Sequence, residues 1–487
     1  MGMLSQREFK ADKKKNFSEW YNTIIYAADL ADVRYNVQGF IVHKPWSMFI
    51  IKKIYSLFEE ALEKDGHKPV LFPLVIPEEN FEKEKEHVEG FSPNVFWVTE
   101  AGGEKLKRKL ALRPTSETAF YQLYSLWIQS RSDLPLKLYQ STNMFRFEAE
   151  TNPFLRGREF LWIEAHDAFA TEEESKEQVG KDLGIAKEIL LQHLGLPVLI
   201  FKRPDWDKFP GAVETYACDC LLPDGKAFQV ATTHLLGQNF SKPFDIKFVD
   251  EKGGKHFVFQ TCFGPGIWRM VGALVSIHGD ERGLVLPFSL SPVQAVIIPI
   301  PRKASGSEKL LTYCREMKKR LEKKFIVDLD DSEKTPGYKY NEWEMRGVPI
   351  RIEVGEKELK EKTLTLARRD TRERIGVKEG DAEERIKDTG NSIFQNLVEN
   401  AERELKENIR SADSREELKK MVEKGGFVKL ELCSLESEGK ECADIIKYET
   451  GGGKVRGTLY GENQKPAGKC IICGKAAKAV AYVAKQY

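Results

Sequence analysis

Cysteine is scarce, with eight spread unevenly over 487 residues. A secreted scaffold held by disulfides carries more of them at closer spacing, so free thiols or metal-bound thiolates are expected here, and a cytosolic location with them. Long apolar runs are missing as well. No window approaches the roughly 18 uninterrupted apolar residues of a membrane span, and the start MGMLSQREFKADKKKNFSEW is polar where a signal peptide needs an apolar core. Charge of one sign is not in excess: 76 Lys and Arg against 75 Asp and Glu leave +1, which moves any question of a polyanionic partner to local patches. The 37 glycines and 21 prolines are near average usage and show no G-X-Y period, which removes collagen-like and low-complexity readings. Also absent are GxxxxGK[ST], a GxGxxG following a strand, HExxH and GxSxG, the signatures of common nucleotide-binding and hydrolytic sites.

What is present is globular. Hydrophobic residues make up 41% and charged residues 31%, enough apolar material for several cores, and at about 150 residues per domain the length suggests three. Residues 17–32 and 48–64 carry apolar side chains at helical spacing with charge opposite. PVLFPLVIP, after Gly66, is an apolar run broken by prolines, which suits a buried or edge strand. From there to about residue 290 strand-like runs dominate around one helical stretch at 172–194, a grouping that predicts a largely antiparallel α+β domain. A second unit starts near Ser291 with the apolar strand VQAVIIPI, followed by a helix and further strands, and reads as a small α/β domain. Its stretch 302–324 holds nine Lys or Arg against three Glu. That face either meets phosphates or is simply solvated. A long charged helical stretch leads to a third unit, which contains four of the eight cysteines.

Polar chemistry set in apolar strands marks the candidate site. RPTSET places Thr115 and Glu117 on a loop at the end of a strand. FRFE puts Arg146 and Glu148 on one strand face by the period-two alternation, either gripping an anion and an amine or forming a surface ion pair. In FLWIEAH the same alternation gives Phe160, Trp162, Glu164 and His166 one face and Leu161, Ile163 and Ala165 the other. Between these runs lies a loop with Arg156 and Arg158, suited to folding over phosphates. CFGPGIWRMVGALVSIHGD then passes from glycine-rich chain into an apolar helix carrying Arg269, whose burial demands a partner or a ligand.

In this order the segments resemble the class II aminoacyl-tRNA synthetases, and among them the prolyl-tRNA synthetases of the shorter type, which lack an inserted editing domain. VLFPLVIP with Pro73 resembles the family's first motif, which builds a dimer interface; FRFE, the loop and FLWIEAH resemble the second; GPGIWRMVGAL, with Arg269, resembles the third. RPTSE is similar to the amino-acid-binding loop and TPGYKYNEWEMRGVPIRIEVG to the anticodon-binding domain, with EHVEGFSP and HGDERGLVLP between the motifs. No HIGH or KMSKS signature of the other synthetase class occurs.

The resemblance implies an antiparallel-sheet catalytic domain over 1–290, an α/β anticodon-binding domain over 291–395 and a small zinc-binding α+β domain over 396–487. It implies a homodimer that attaches L-proline to tRNA(Pro) through prolyl-adenylate, using ATP with Mg²⁺. Arg146 is then expected at the α-phosphate and the carboxylate, Arg156 at the outer phosphates, Phe160 and Arg269 on the two faces of adenine, and Glu148, Gln229 and Thr232 on the nucleotide. Thr115 and Glu117 would take the proline ammonium; Trp162, Phe91, His234 and Gly264 would wall the ring, with Glu164, His166 and Cys262 in or behind that wall. The two histidines are otherwise core residues satisfied by neighbours. Cys262 stands where the family more often has Ser, and Phe263 where Trp or Tyr is usual. Without an editing insertion, rejection of alanine or cysteine rests on the pocket.

Cys433 and Cys442, then Cys470 and Cys473 in a CxxCG turn, offer four thiolates to one tetrahedral Zn²⁺, the alternative being buried thiols. Cys218 and Cys220 are expected to pack as small apolar groups. Anticodon candidates are Glu342, Arg346, Arg368 and Arg369, and Tyr487 resembles the family's C-terminal tyrosine, whose carboxylate reaches toward the active site. Other functional readings are a threonyl or seryl enzyme of the same subclass, or a catalytically silent RNA-binding relative.

Overall fold

The computed structural model describes residues 12–81, 94–301 and 307–487. Helices α1 (Phe17–Ala27) and α2 (Pro45–Lys64) form where apolar residues recur every three or four positions, so that Ile50, Ile51, Ile54, Phe58 and Leu62 of α2 are buried. The proline-punctuated run gives two short strands, β1 (Lys68–Pro69) and β2 (Val75–Pro77). The second joins β3 (Phe96–Ala101) and β4 (Glu104–Leu112) in a small antiparallel sheet that delivers the chain into α3 (Glu117–Trp127).

Six longer elements follow: β5 (Leu136–Phe145), β6 (Glu159–Phe169), α4 (Glu172–Glu188), β7 (Leu199–Lys202), β8 (Glu214–Leu221) and β9 (Ala227–Gly237). Then come β10 (Phe259–Pro265) and the apolar α5 (Ile267–His278). A Cβ on Gly272 of α5 would lie 2.5 Å from the Phe154 carbonyl oxygen, so glycine there lets the loop between β5 and β6 press onto the helix.

A five-stranded sheet comes next: β11 (Ala295–Ile300), β12 (Val327–Leu329), β13 (Ile350–Gly355), β14 (Thr363–Arg368) and β15 (Arg374–Lys378), in the order β12-β11-β13-β14-β15. Its parallel pairs, β11 with β12 and β11 with β13, need crossovers, supplied by α6 (Ser307–Leu321) and α7 (Pro336–Met345). Helix α8 (Ala382–Glu407) runs unbroken through residues 395 and 396, where the sequence reading divides the second unit from the third.

The remaining strands, β16 (Ile409–Ser411), β17 (Phe427–Leu432), β18 (Gly453–Leu459) and β19 (Ala479–Lys485), with α9 (Lys440–Glu449) between β17 and β18, do not close a sheet of their own. They extend the sheet of the first unit, giving eleven strands in the order β16-β17-β19-β18-β7-β8-β9-β10-β6-β5-β1. The seam is the antiparallel pairing of Thr458 with Lys202 and Leu459 with Phe201. Gly457, at φ +114, permits it, because a Cβ there would fall 1.9 Å from the Lys202 carbonyl oxygen. All eight cysteines are free, and Cys218 and Cys220 lie fully buried in the main core. Among the described residues no helix is long and apolar enough to cross a membrane.

Candidate active site

The site lies on one face of the central strands, where cross-strand register lines up chemistry far apart in sequence. Thr215 pairs with His234, His234 with Cys262 and Cys262 with His166, a single row across β8, β9, β10 and β6. One pleat further along, Thr232 pairs with Gly264, and beyond it Gln229 pairs with Asp219. Above these rows opens a cavity of about 310 Å³.

Its acidic end is built on Glu117. The Thr115 hydroxyl donates to Glu117, and the Cys262 thiol donates to Glu117 Oε1 at 3.2 Å. Burial, together with Glu117 and Glu164, pushes the Cys262 thiol well up, so it stays protonated. Behind it Glu164 accepts from the Ser116 amide at 3.1 Å and from Gln140 at 2.5 Å, and stands 3.2 Å from His166 Nε2. Burial alone would lower His166; the hydrogen bond to Glu164 and the charge of Glu117 outweigh it and raise the imidazole above its ordinary value. His234 differs. It stacks on Phe209 at 4.5 Å, sits 3.0 Å from Thr215 Oγ1, and is pushed by burial down to about 4, hence neutral.

The other end is cationic. Arg146 donates from Nε to the Pro114 carbonyl at 2.9 Å, and its guanidinium stands 5.3 Å from the ring centres of both Phe160 and Trp162. Burial pulls Arg146 below its ordinary value, against the opposing charges of Glu117 and Glu148. Arg156 reaches Glu148 at 3.2 Å and the Tyr487 main-chain oxygen at 3.2 Å, while Asn152 donates to the Tyr487 hydroxyl at 2.8 Å. Arg269 donates to the Gln229 carbonyl at 3.0 Å and lies 5.3 Å from the Phe228 ring centre. Burial and the repulsion of Arg156 and Arg146 bring it down to about 10, still charged at neutral pH. One cavity with carboxyl, thiol and imidazole at one end and guanidinium groups at the other suits a small zwitterion beside a polyphosphate.

Of the residues singled out from sequence, Glu117, Arg146, Glu148, Arg156, Phe160, Trp162, Gln229, Thr232, His234, Cys262, Gly264 and Arg269 all line this cavity. Thr115, Glu164 and His166 do not; they are buried behind the wall and act on it through Glu117 and each other. Phe91 lies outside the described residues. Arg146 and Glu148 face the same space, but not by strand alternation, since β5 ends at Phe145 and both sit on the irregular chain beyond it. Sequence reasoning missed Arg203, Phe209, Thr215 and Gln486, which also line the cavity. The only signal for the first two was the alternation of cations and acids in KRPDWDKF.

Two further groups stand apart. The sulfurs of Cys433, Cys442, Cys470 and Cys473 all lie within 4.8 Å of one another, with Cys442 3.6 Å from Cys433 and 3.9 Å from Cys470, a donor set that fits a tetrahedral Zn²⁺. The anticodon candidates are heavily engaged. Arg369, almost fully buried, makes two bonds to Asp280 at 2.8 and 2.6 Å and donates to the Glu344 carbonyl at 2.9 Å, which clamps the second unit to the chain just after α5. Arg368 is forked onto Asp370, and Glu342 pairs with Lys334 and Arg346. On the basic helix, Arg315, Lys318 and Arg320 pair with acids of their own unit, as a solvated face does.

Residues 96–278 match the tRNA synthetase class II core domain (G, H, P, S and T), residues 294–389 the anticodon binding domain, and residues 415–487 the prolyl-tRNA synthetase C-terminal domain. The chain is 52% identical over 486 residues to a proline–tRNA ligase of Thermofilum pendens, covering 99% of this chain and 100% of that protein. It is 42% identical to one from Thermococcus kodakarensis, covering 97% and 98%. Its fold matches a Giardia lamblia prolyl-tRNA synthetase in complex with prolyl-adenylate, with a TM-score of 0.94, 33% identity and 100% of both chains covered. A Cryptosporidium parvum prolyl-tRNA synthetase complexed with halofuginone and AMPPNP matches at 0.94, with 35% identity and 98% and 99% coverage. The chain belongs to the prolyl-tRNA synthetase family.

Proposed function

We propose that this chain activates L-proline with ATP and transfers it to tRNA(Pro), the two steps sharing the cavity above. The observation that carries this reading is the convergence of Arg146, Arg156 and Arg269 on the same space that Glu117 enters from the other end. Glu117, oriented by Thr115 and Cys262, accepts from the secondary ammonium; Trp162, His234 and Gly264 enclose the ring; Glu164 and His166 hold the wall from behind. Arg146 stands between the two halves, where it steadies both the carboxylate and the α-phosphate during in-line attack. Arg156 takes the outer phosphates, Phe160 and Arg269 frame adenine, and Glu148, Gln229 and Thr232 fix the nucleotide. Mg²⁺ bound with ATP would neutralise phosphate charge there. No side chain needs to act as nucleophile, because the carboxylate of the amino acid is one.

The four C-terminal cysteines hold a structural Zn²⁺ in this reading. Residues 1–290 carry the chemistry and pair two copies through the Pro73 segment, where Leu71 and Leu74 are exposed; residues 291–395 meet the anticodon, with Glu342, Arg346 and Arg368 at that face; residues 396–487 close the molecule, in the cytoplasm. The test is amino-acid-dependent exchange of pyrophosphate into ATP. Proline supports exchange and serine and threonine do not, while Arg146→Ala loses at least about tenfold in kcat/KM, or ~1.4 kcal/mol. Equal exchange with threonine or serine, or tRNA binding with no adenylate formed from any amino acid, rules the reading out.

A further inference from the structure

The nucleotide end of the cavity rests on a buried charge cluster that joins the first and last parts of the chain. Asp219, fully buried on β8, accepts from Arg203 Nη2 at 2.8 Å on one oxygen and from Arg456 Nε at 2.8 Å on the other, where Arg456 Nη2 also lies at an ion-pair distance of 2.8 Å without forming a hydrogen bond. Arg203 also donates to the Arg456 carbonyl at 3.0 Å and to the Gln229 side-chain oxygen at 3.0 Å. Arg456 Nη1 meets Gln486 Oε1 at 3.1 Å, and Gln486, Gln229 and Arg203 all line the cavity. Both arginine side chains are at most 2% exposed.

Two breaks in the strand pleat bring this about. The register of β8 against β9 shifts between Cys218 and Asp219, so that Asp219 faces Gln229. The register of β18 against β19 shifts between Val455 and Gly457, and the extra residue is Arg456. A bulge re-aims a side chain that the pleat would otherwise send elsewhere; here the extra Val230 on β9 sets Gln229 opposite Asp219, and the extra Arg456 on β18 turns toward the same carboxylate. The cluster holds one positive charge more than negative, offset at its rim by Asp207, 3.9 Å from Arg203 and 39% exposed. Burying such an excess is costly unless something answers it. The phosphate-bearing half of the cavity is next to it.

We infer that Arg456 is a positioning residue for ATP: acting through Asp219 and Arg203, it fixes the Gln229 side chain and its share of positive potential, so that the C-terminal segment completes the nucleotide half of the active site. This rests on the nucleotide assignment made for the proposed function. A solely structural seam would stabilise the fold without favouring one substrate, whereas a positioning role separates ATP from proline.

The experiment uses the full chain, with proline-dependent pyrophosphate exchange measured at varied ATP and at varied proline. Arg456→Lys keeps the charge but cannot hold Asp219 and Gln486 together. It is expected to raise the KM for ATP five- to tenfold while the KM for proline changes less than twofold. In a Gln229→Ala background the same substitution is expected to add less than twofold, because its effect passes through that amide. Parallel rises in both KM values, an unchanged KM for ATP, or an undiminished effect in the Gln229→Ala background would overturn the inference. Calorimetric titration of ATP alone onto wild type and Arg456→Lys gives an independent reading: five- to tenfold weaker binding supports the role even if proline proved to be the wrong amino acid, and equal binding removes it. Should Arg456→Lys fold poorly, Asp219→Asn, which keeps the shape and removes the shared acceptor charge, is expected to shift the KM for ATP alone; a parallel shift in both KM values counts against the role.

Discussion

Arg269 and Arg369 are both arginines in apolar surroundings, and their neighbours set them apart. Arg369 has a carboxylate fork and a carbonyl, so its charge is answered within the protein. Arg269 has a carbonyl and an aromatic ring, with two further guanidinium groups lowering its affinity for its own proton and no carboxylate at ion-pair distance among the described residues. The same contrast separates the regions around them. In the second unit Arg351 meets Glu344 and Glu353, Arg374 meets Glu353 and Arg320 meets Glu379, whereas Arg146, Arg156, Arg203 and Arg269 line one cavity in the first, where Glu148 answers Arg156 and Asp219 answers Arg203. The neutralised Arg369 holds units together; Arg269, crowded by Arg156 and Arg146, leaves its charge for an anion.

The comparison predicts opposite failures. The largest effect is expected from Arg269→Ala, a fall of about 10²–10³-fold in kcat/KM for ATP in pyrophosphate exchange. Its melting temperature should hold or rise, since repulsion from Arg156 and Arg146 is relieved; a large drop would place Arg269 with the structural arginines. Arg369→Ala should do the reverse, costing about 3 kcal/mol of stability in denaturant unfolding by stranding Asp280, with the folded fraction keeping near-normal exchange.

Acid offers a third comparison, between histidines. His43, His234 and His278 are each held down to about 4 by burial, so between pH 6.5 and 4 the unfolded chain takes up protons that the folded one refuses. The stability these three groups contribute is full above the unfolded pKa of about 6.5 and is lost as pH falls, by up to ~3 kcal/mol per group, while His67, His166 and Asp182, all raised in the fold, contribute with the opposite sign. His278→Asn, which can keep a bond to the Leu194 carbonyl, should remove one of the three acid-labile contributions and so make melting temperature fall less steeply as pH drops over that window. The smallest effect is expected at Arg372, exposed and paired with exposed Glu281: Arg372→Ala should change stability by less than about 0.5 kcal/mol.

Much of the cavity was legible because its parts are local. The alternation in FLWIEAH matches β6 at Ile163 and Ala165 in the core and at Phe160 and Trp162 on the cavity, while Leu161, read as core, also lines the cavity and Glu164 and His166 lie behind its wall. Arg146 and Glu148 were read on the right side for the wrong reason, since strand period says nothing of where a strand stops. The Asp219 cluster was not legible at all. Its partner Arg456 is 237 residues away, and only a bulge turns it inward. The pairing of Arg369, an anticodon candidate by resemblance, was not legible either, because Asp280 reaches it from another unit.

The continuous eleven-stranded sheet has a practical corollary. A version of the protein ending before residue 453 would uncover the backbone of Leu199–Lys202 and leave it as a raw edge, with Phe201 and the orphaned pair of Asp219 and Arg203 beside it. Bare edges recruit other chains. Trimming the last segment should thus yield aggregates in place of a smaller enzyme, and purification of any shortened form should begin by asking what has docked along that margin.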